Sequence, residues 1–575
     1  MLVKTSRVIC YENASAFILF LLIPILIASP ILPFLSEYSN IYAQEDKEAS
    51  SLSIDCVKYD SIEKTITITC HSANLTDVYN QLRDPEILKK ETSAPTGAVW
   101  LLNAAIIIEK GATLYINSTD TSWLKIVAAD RELASQAGDN EENPISKANA
   151  IELFGSLQID SVTITSWDLS TNDYAITEGK RILNGNEYEV QLGSPRPFIS
   201  VKGEATGTTD ITNSEIAYLG YEEGIGEGPV VGLTYFGGNG SIIRNNDIHH
   251  LYFAFYSNGV RNITIENNRV HNSGQYGIDP HTGTHDMIIR NNIVYDNVGQ
   301  GIICSVDCYN ITIEDNKVFG NKGAGIMFSR NMHDSTARNN TVFDETECIF
   351  VSGSHSNQIY NNTVSGCSVA GLYLKAGSTN NTLHDNIIMN SKRGILVNNG
   401  SSDNIFYRNT LMSNSTQYAI SLDNDDDYGK IAERKDSSNA GNNTFVENKL
   451  VAAPEVTIKY PASGQNVLPG TLTIYGLSSD NATASCQVSV LLNNKEPYQN
   501  ALATGPEGND DYSKWTFTFD PGYSVLREGV NEIASKITCQ YEEVNNGASP
   551  TGYNKINVSA IRQEEIEDNN NNNQT

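Results

Sequence analysis

Tyr276, Asp279 and His281 put a phenol, a carboxylate and an imidazole within six residues, in the run Tyr276-Gly277-Ile278-Asp279-Pro280-His281-Thr282. Together they can move protons: one group titrates near neutrality, one can orient it, and one can hold or release a proton. The competing reading is a tight turn in which Asp279 caps backbone N–H groups and His281 is exposed. Two other groups invite chemistry and lose it on inspection. His249-His250 could be ligands, but no third ligand is evident, and a surface turn accounts for them. Cys304 beside Ser305 could be a nucleophile, but in an exported chain a disulfide to Cys308 or a buried thiol is commoner. No metal ligand set is expected.

Something must hold these side chains along one edge, and the repeats supply it. From Asn239 to Asp425 the sequence falls into units of 22 to 24 residues. Each contains short alternating apolar runs, such as Ile263-Thr264-Ile265 and Gly301-Ile302-Ile303, split by Asn, Gly or Asp turns. No unit can bury its apolar side alone, but stacked units share one continuous interior. The leucine pattern of leucine-rich repeats is missing, so the period predicts an all-β chain built on a right-handed parallel β-helix. One column reads Asn246, Asn268, Asn292, Asn316, Asn340, Asn362, Asn386 and Asn409, an asparagine ladder at an inner corner. Aligned on the period, Asp279 takes a strand position where the next coil has Ile303. His281 stands over Ser305, and Thr282 over Val306 and then Arg330. Arg330 therefore lies two coils from the imidazole.

Five segments follow from this pattern. Residues 1–43 read as a signal peptide or N-terminal membrane anchor: Lys4 and Arg7 precede an apolar run from Ala16 to Leu35. Residues 44–98 should hold a hairpin flanked by Cys56 and Cys70 and a capping helix from Asn74 to Lys90. The β-helix spans 99–452, with excursions at 128–148 and 166–192 as groove walls and an acidic loop from Asp423 to Lys430. After Ala453-Pro454 the period vanishes, and 453–560 read as an Ig-like β-sandwich with Cys486 and Cys539 spaced as if across it. Residues 561–575 are a disordered Asn-rich tail. Eight cysteines beyond the apolar run predict disulfides and an extracytoplasmic chain, secreted or surface-anchored. Cys304, Cys308, Cys348 and Cys367 cannot be paired from spacing.

The formal net charge is 39 − 68 = −29. A surface that acidic repels nucleic acid, and would also repel a polyanionic sugar unless a groove is locally basic.

The run from Tyr276 to His281 resembles the YG(I/F)DPH motif of the polymannuronate (alginate) C5-epimerases, parallel β-helix enzymes of the pectate-lyase-like superfamily. The resemblance extends to Arg196-Pro197-Phe198, to Asn213 through Gly220, to Phe253-Ala254-Phe255-Tyr256 and to Gly301 through Ser305, about the central half of the chain. It implies that His281 and Tyr276 act on the C5 proton of a uronic acid residue and that Asp279 belongs with them. The pattern departs at three places: Thr282 replaces a frequent acidic residue, Val306 replaces a basic one, and Ser305 replaces an acidic one of the secreted type.

The implied reaction removes a proton α to a carboxylate, which builds a second negative charge and requires a cation or donors at that carboxylate. Arg330 is the candidate, with Lys375 in reserve. Ser305 and Tyr256 line the expected sugar site, Tyr256 as a ring for stacking. The expected partner is a polyuronate or cell-surface polysaccharide. No cofactor is expected, and calcium is left open. Two alternatives stand beside epimerisation: a lyase, if the intermediate expels the 4-O-linked sugar, and a non-catalytic glycan-binding adhesin. Copper delivery, known for other exported β-helix proteins, would need a Met or His cluster that the sequence does not show.

Overall fold

The computed structural model describes residues 55–562 apart from 95–96, 130–148, 177, 184–185, 192–194, 222–230, 399, 413–419, 424–440, 452–453, 481–483 and 542–550. The N-terminal apolar run, the acidic loop beyond Asp423, most of the first excursion and the Asn-rich tail lie outside the described residues. Among the described residues no helix is long and apolar enough to cross a membrane.

Each repeat gives three short strands, and each strand pairs with its counterpart in the next coil. Three long sheets result, of 14, 13 and 14 strands. Strands of three to six residues suffice because alternation sends every second side chain inward, where it meets its equivalents above and below. One inner column runs Ile278, Ile302, Ile326, Ile349, Leu372 and Ile395, in register from coil to coil and fully buried.

At the corner, each ladder asparagine is preceded by a residue at positive φ, such as Asn267 at 57° and Asn291 at 56°. Asn292 Oδ1 accepts from both the backbone N–H and Nδ2 of Asn268, while Asn292 Nδ2 donates to Ile265 O and to Asn316 Oδ1. Asn292→Ala would orphan several buried groups at once. It should cost about 2–4 kcal/mol, read as a lower melting temperature. An unchanged melting temperature would contradict this register.

Two further ladders escaped the sequence reading. One links Asn357, Asn381, Asn404 and Asn443. The other runs Asn297, Asn321 and Glu345, with Asn321 Nδ2 donating to Glu345 Oε1 at 2.7 Å while Oε2 is buried without a partner. Burial pushes the Glu345 carboxyl up to about 8. Its folded pKa thus lies above the unfolded value of about 4.3. The native state keeps a proton that the unfolded chain releases, so stability falls as pH rises from about 4.5 through about 8. Glu345→Gln should therefore raise the melting temperature at pH 8 and leave it nearly unchanged at pH 4.

The N-terminal end is closed differently from expectation. The hairpin of Val57–Asp60 with Thr65–Ile68 is present, joined by Cys56–Cys70. The helix is shorter than the expected Asn74-to-Lys90 span, covering only Leu75–Leu82, with Asn74 and Asp77 forming a capping box. Arg83 ends it at φ 53°, and Pro85 prevents continuation. Lys89 and Lys90 belong instead to the strand Leu88–Ala94, antiparallel to Gly97–Leu102. The second excursion contains the antiparallel pair Glu178–Leu183 and Asn186–Gln191.

Cys348 and Cys367 form a second disulfide, whereas Cys304 and Cys308 are buried free thiols. Beyond residue 454, sheets of four and five strands enclose their own apolar core, which includes Ile474, Val488, Trp515 and Ile537. Cys486 and Cys539 are bonded, but as register partners on neighbouring strands of one sheet. Spacing had suggested a bridge between sheets. It could not distinguish the two, because a long strand, a turn and a partner strand consume the same length.

Candidate active site

Strand Ile278–His281 lies in the interior of one 14-stranded sheet, between Phe253–Asn258 and Ile302–Ser305. Ile278 points into the core, so alternation turns Asp279 and His281 onto the outer face. Register with the next coil holds at Ile278 and at His281, flanking Pro280, which has no N–H to give. Successive coils then stack Asn258, His281, Ser305, Ser329, Ser352 and Lys375 in one column.

Arg330 follows Ser329 in a turn at φ 52°, and its side chain reaches back across the Val306 coil. Nε donates to Ser305 Oγ at 2.9 Å, Nη2 donates to the same oxygen, and Nη2 also lies 3.3 Å from His281 Nε2. A guanidinium has donors only, so His281 Nε2 accepts, and the ring proton sits on Nδ1. Nδ1 is 2.6 Å from Thr282 Oγ1. Burial, with the Arg330 charge as a second cause, lowers the His281 pKa to about 4. The imidazole is thus neutral at neutral pH, with its lone pair on the outer face.

Asp279 was expected to hold the imidazole or act on a phenol. Both ring nitrogens of His281 are engaged elsewhere, and Asp279 Oδ1 is buried without a hydrogen bond. Burial raises its pKa well above the usual carboxylate range, against a smaller opposing pull from Arg330. Burial thus favours the protonated form of Asp279, the form that can donate.

Tyr276 and Tyr256 flank this group. Tyr276 packs its ring 5.0 Å from Phe253, and a Cβ on Gly299 would come within 2.5 Å of it, so glycine there makes room for the phenol. Burial and the nearby Asp279 raise the Tyr276 pKa, keeping the phenol protonated. The Tyr256 ring stands 5.5 Å from that of His281 and is mostly buried, a wall of the site.

Two expected binding residues change role. Ser305 is fully buried and occupied by Arg330, so it aims the guanidinium and does not face a ligand. Lys375 is exposed in the His281 column but four coils away, about 19 Å at the usual strand spacing. It cannot serve the carboxylate that Arg330 would serve. Sequence reasoning also passed over Thr282, noted only as a departure; the signal was its place directly after the histidine at a turn.

His249 and His250 do face one another, Nδ1 to Nδ1 at 2.8 Å, and His249 Nε2 meets Glu215 at 3.2 Å. Among the described residues no three His, Cys, Asp or Glu side chains are placed to hold a metal ion.

The crystal structure of the periplasmic alginate epimerase AlgG superposes with a TM-score of 0.51 at 19% identity, covering 74% of this chain and 100% of that one. The shared fold is the right-handed parallel β-helix. The Azotobacter vinelandii mannuronan C-5 epimerase AlgE4 A-module gives a TM-score of 0.32 at 12% identity, covering 61% of this chain and 87% of that one. The right handed beta helix region model matches residues 198–346, and the periplasmic copper-binding protein (NosD) model matches 303–448. No curated protein sequence matches the chain. At this identity the AlgG likeness speaks for the fold, and chemistry rests on the side chains.

Proposed function

We propose that the protein is an exported polysaccharide-modifying enzyme that epimerises uronic acid residues of a polymer at C5. The observation that carries this reading is the outer-face group of His281, Arg330, Asp279 and Tyr276: a neutral base beside a fixed cation, a buried carboxyl whose pKa is pushed up and a protonated phenol. The likeness of fold to AlgG accords with it, and three disulfides accord with an extracytoplasmic site of action.

In this mechanism the substrate carboxylate, a stronger acceptor than the imidazole, draws the Arg330 guanidinium to itself and leaves His281 Nε2 free. Nε2 takes the C5 proton, and the C–H electron pair moves into the carboxylate to give an enediolate. Arg330 and the Asp279 proton stabilise the second negative charge. Tyr276, or water, returns a proton to C5 from the opposite ring face, which inverts the centre without net gain or loss of atoms. The formal charge of −29 makes cations along this face matter: Arg330 serves the reacting sugar, and Lys375 can meet only another sugar residue of the same polymer. A linear polyanion lying along the coil axis would touch both. The C-terminal module is taken as Ig-like, for attachment or carbohydrate contact.

The same proton abstraction begins a β-elimination, so the second reading is a lyase. Incubation with polymannuronate and ultraviolet detection of unsaturated chain ends separates them. Inverted C5 centres without unsaturation support epimerisation; unsaturated ends with shortened chains would replace it with elimination.

A further inference from the structure

Six histidines of this solenoid, three of them closing strands, are each followed by a left-handed turn. His271, His281, His285, His333, His355 and His384 each turn Nδ1 toward the side chain of the following residue. That residue always has positive φ: Asn272 54°, Thr282 34°, Asp286 53°, Asp334 49°, Ser356 57° and Asp385 55°. The left-handed turn aims a short polar side chain back at the imidazole, so the identity of one residue sets what Nδ1 meets. At 285, 333 and 384 it meets a carboxylate, at 2.7 to 2.8 Å. At His281 it meets a hydroxyl at 2.6 Å, which accepts a proton's hydrogen bond without stabilising a second charge.

Thr282 is also an awkward occupant. A β-branched side chain at positive φ is disfavoured; this turn position carries Gly259 at 66° in the coil above, Val306 at 65° in the coil below and Gly353 at 56° further on, and of the two β-branched residues only Thr282 brings a hydroxyl. The fold accepts glycine here, yet the site keeps a threonine whose hydroxyl is engaged with His281.

We propose that Thr282 is a positioning residue for the reaction, its hydroxyl locking His281 with the proton on Nδ1 and the basic lone pair on Nε2. The proposal rests on the epimerase reading for its consequence in rate, and on geometry alone for the lock. The charged and titratable groups around His281 are Arg330 from two coils below, Asp279 on the same strand, Tyr276 before it and Tyr256 from the coil above. Arg330 occupies Nε2 in the unliganded protein, and none of these side chains offers Nδ1 another acceptor. A carboxylate at 282 would set a negative charge against Nδ1 of the base, with the geometry of the His285–Asp286 pair.

The test is nitrogen NMR of histidine-labelled full-length protein, together with the pH profile of polymannuronate C5 exchange, for wild type and for Thr282→Ser, Thr282→Val and Thr282→Asp. Wild type and Thr282→Ser should show the Nδ1–H tautomer of His281. Thr282→Val should show a kcat about 10–100-fold lower at unchanged KM, the size that orienting partners of a histidine command, and mixed tautomers once Arg330→Met also removes the donor at Nε2. Thr282→Asp should move the acid limb of the profile up by about one unit or more. An Nε2–H tautomer in the wild type, or a Thr282→Val variant with unaltered kcat, would overturn the proposal. A lock seen in a wild type that exchanges no polyuronate proton would overturn the proposed reaction and not the lock.

Discussion

His281→Gln is expected to lower the rate of C5 proton exchange on a polyuronate by about 10³-fold, within the range that a positioned general base contributes. The fold should survive, because His281 lies on the outer face and belongs to none of the asparagine ladders. An unchanged melting temperature beside the lost rate would separate chemistry from folding. The intact protein carries a pH signature of the same group. A base works only when unprotonated, and burial plus Arg330 hold the His281 pKa at about 4. Activity should therefore persist down to about pH 5 and fall as pH drops through about 4, well below the ordinary histidine range. A profile collapsing near pH 6.5 would contradict the neutral, Arg330-capped imidazole.

Arg330→Met should cost nearly as much, about 10²–10³-fold in kcat, because it removes the cation aimed at the charge that develops in the transition state. Methionine keeps an apolar stem and so tests the charge more than the packing. The loss should fall mainly on kcat, since the charge at that carboxylate grows as the proton leaves. Ser305 gives an internal check: its oxygen accepts from both Nε and Nη2, so it fixes where the guanidinium points. Arg330→Lys should rescue only partly, because an ammonium cannot reproduce the two-point hold on Ser305 while still reaching the substrate. Full activity in Arg330→Met would remove Arg330 from the mechanism and return attention to donors such as Asp279.

Most of what positions the site could be read from the period. A parallel coil stacks equivalent residues, so aligning Gly277-Ile278-Asp279 with Gly301-Ile302-Ile303 already placed His281 over Ser305 and Arg330 two coils on, and the observed register agrees. The register did not say how far a side chain reaches. Arg330 spans a whole coil to touch His281, whereas Lys375, in the same column as His281, is four coils off. Nor does a residue's type reveal its protonation. Asp279 looks like an ordinary carboxylate in sequence, and burial beneath Tyr256 and the sheet pushes its pKa well up. Glu345 hides for the same reason, standing in for asparagine in a ladder that only the stacked turns make visible. The capping helix stopped short because Pro85 and a left-handed Arg83 outweigh the amphipathic pattern that continues beyond them.

The central claim is that His281 Nε2 removes the proton from C5 of a polymeric uronate. Proton NMR of polymannuronate and related polyuronates in D₂O with the wild-type protein tests it most directly, His281→Gln serving as the control. Deuterium entering at C5 without chain cleavage, and absent with His281→Gln, is the predicted result. No exchange on any polyuronate, or equal exchange by the variant, would contradict it.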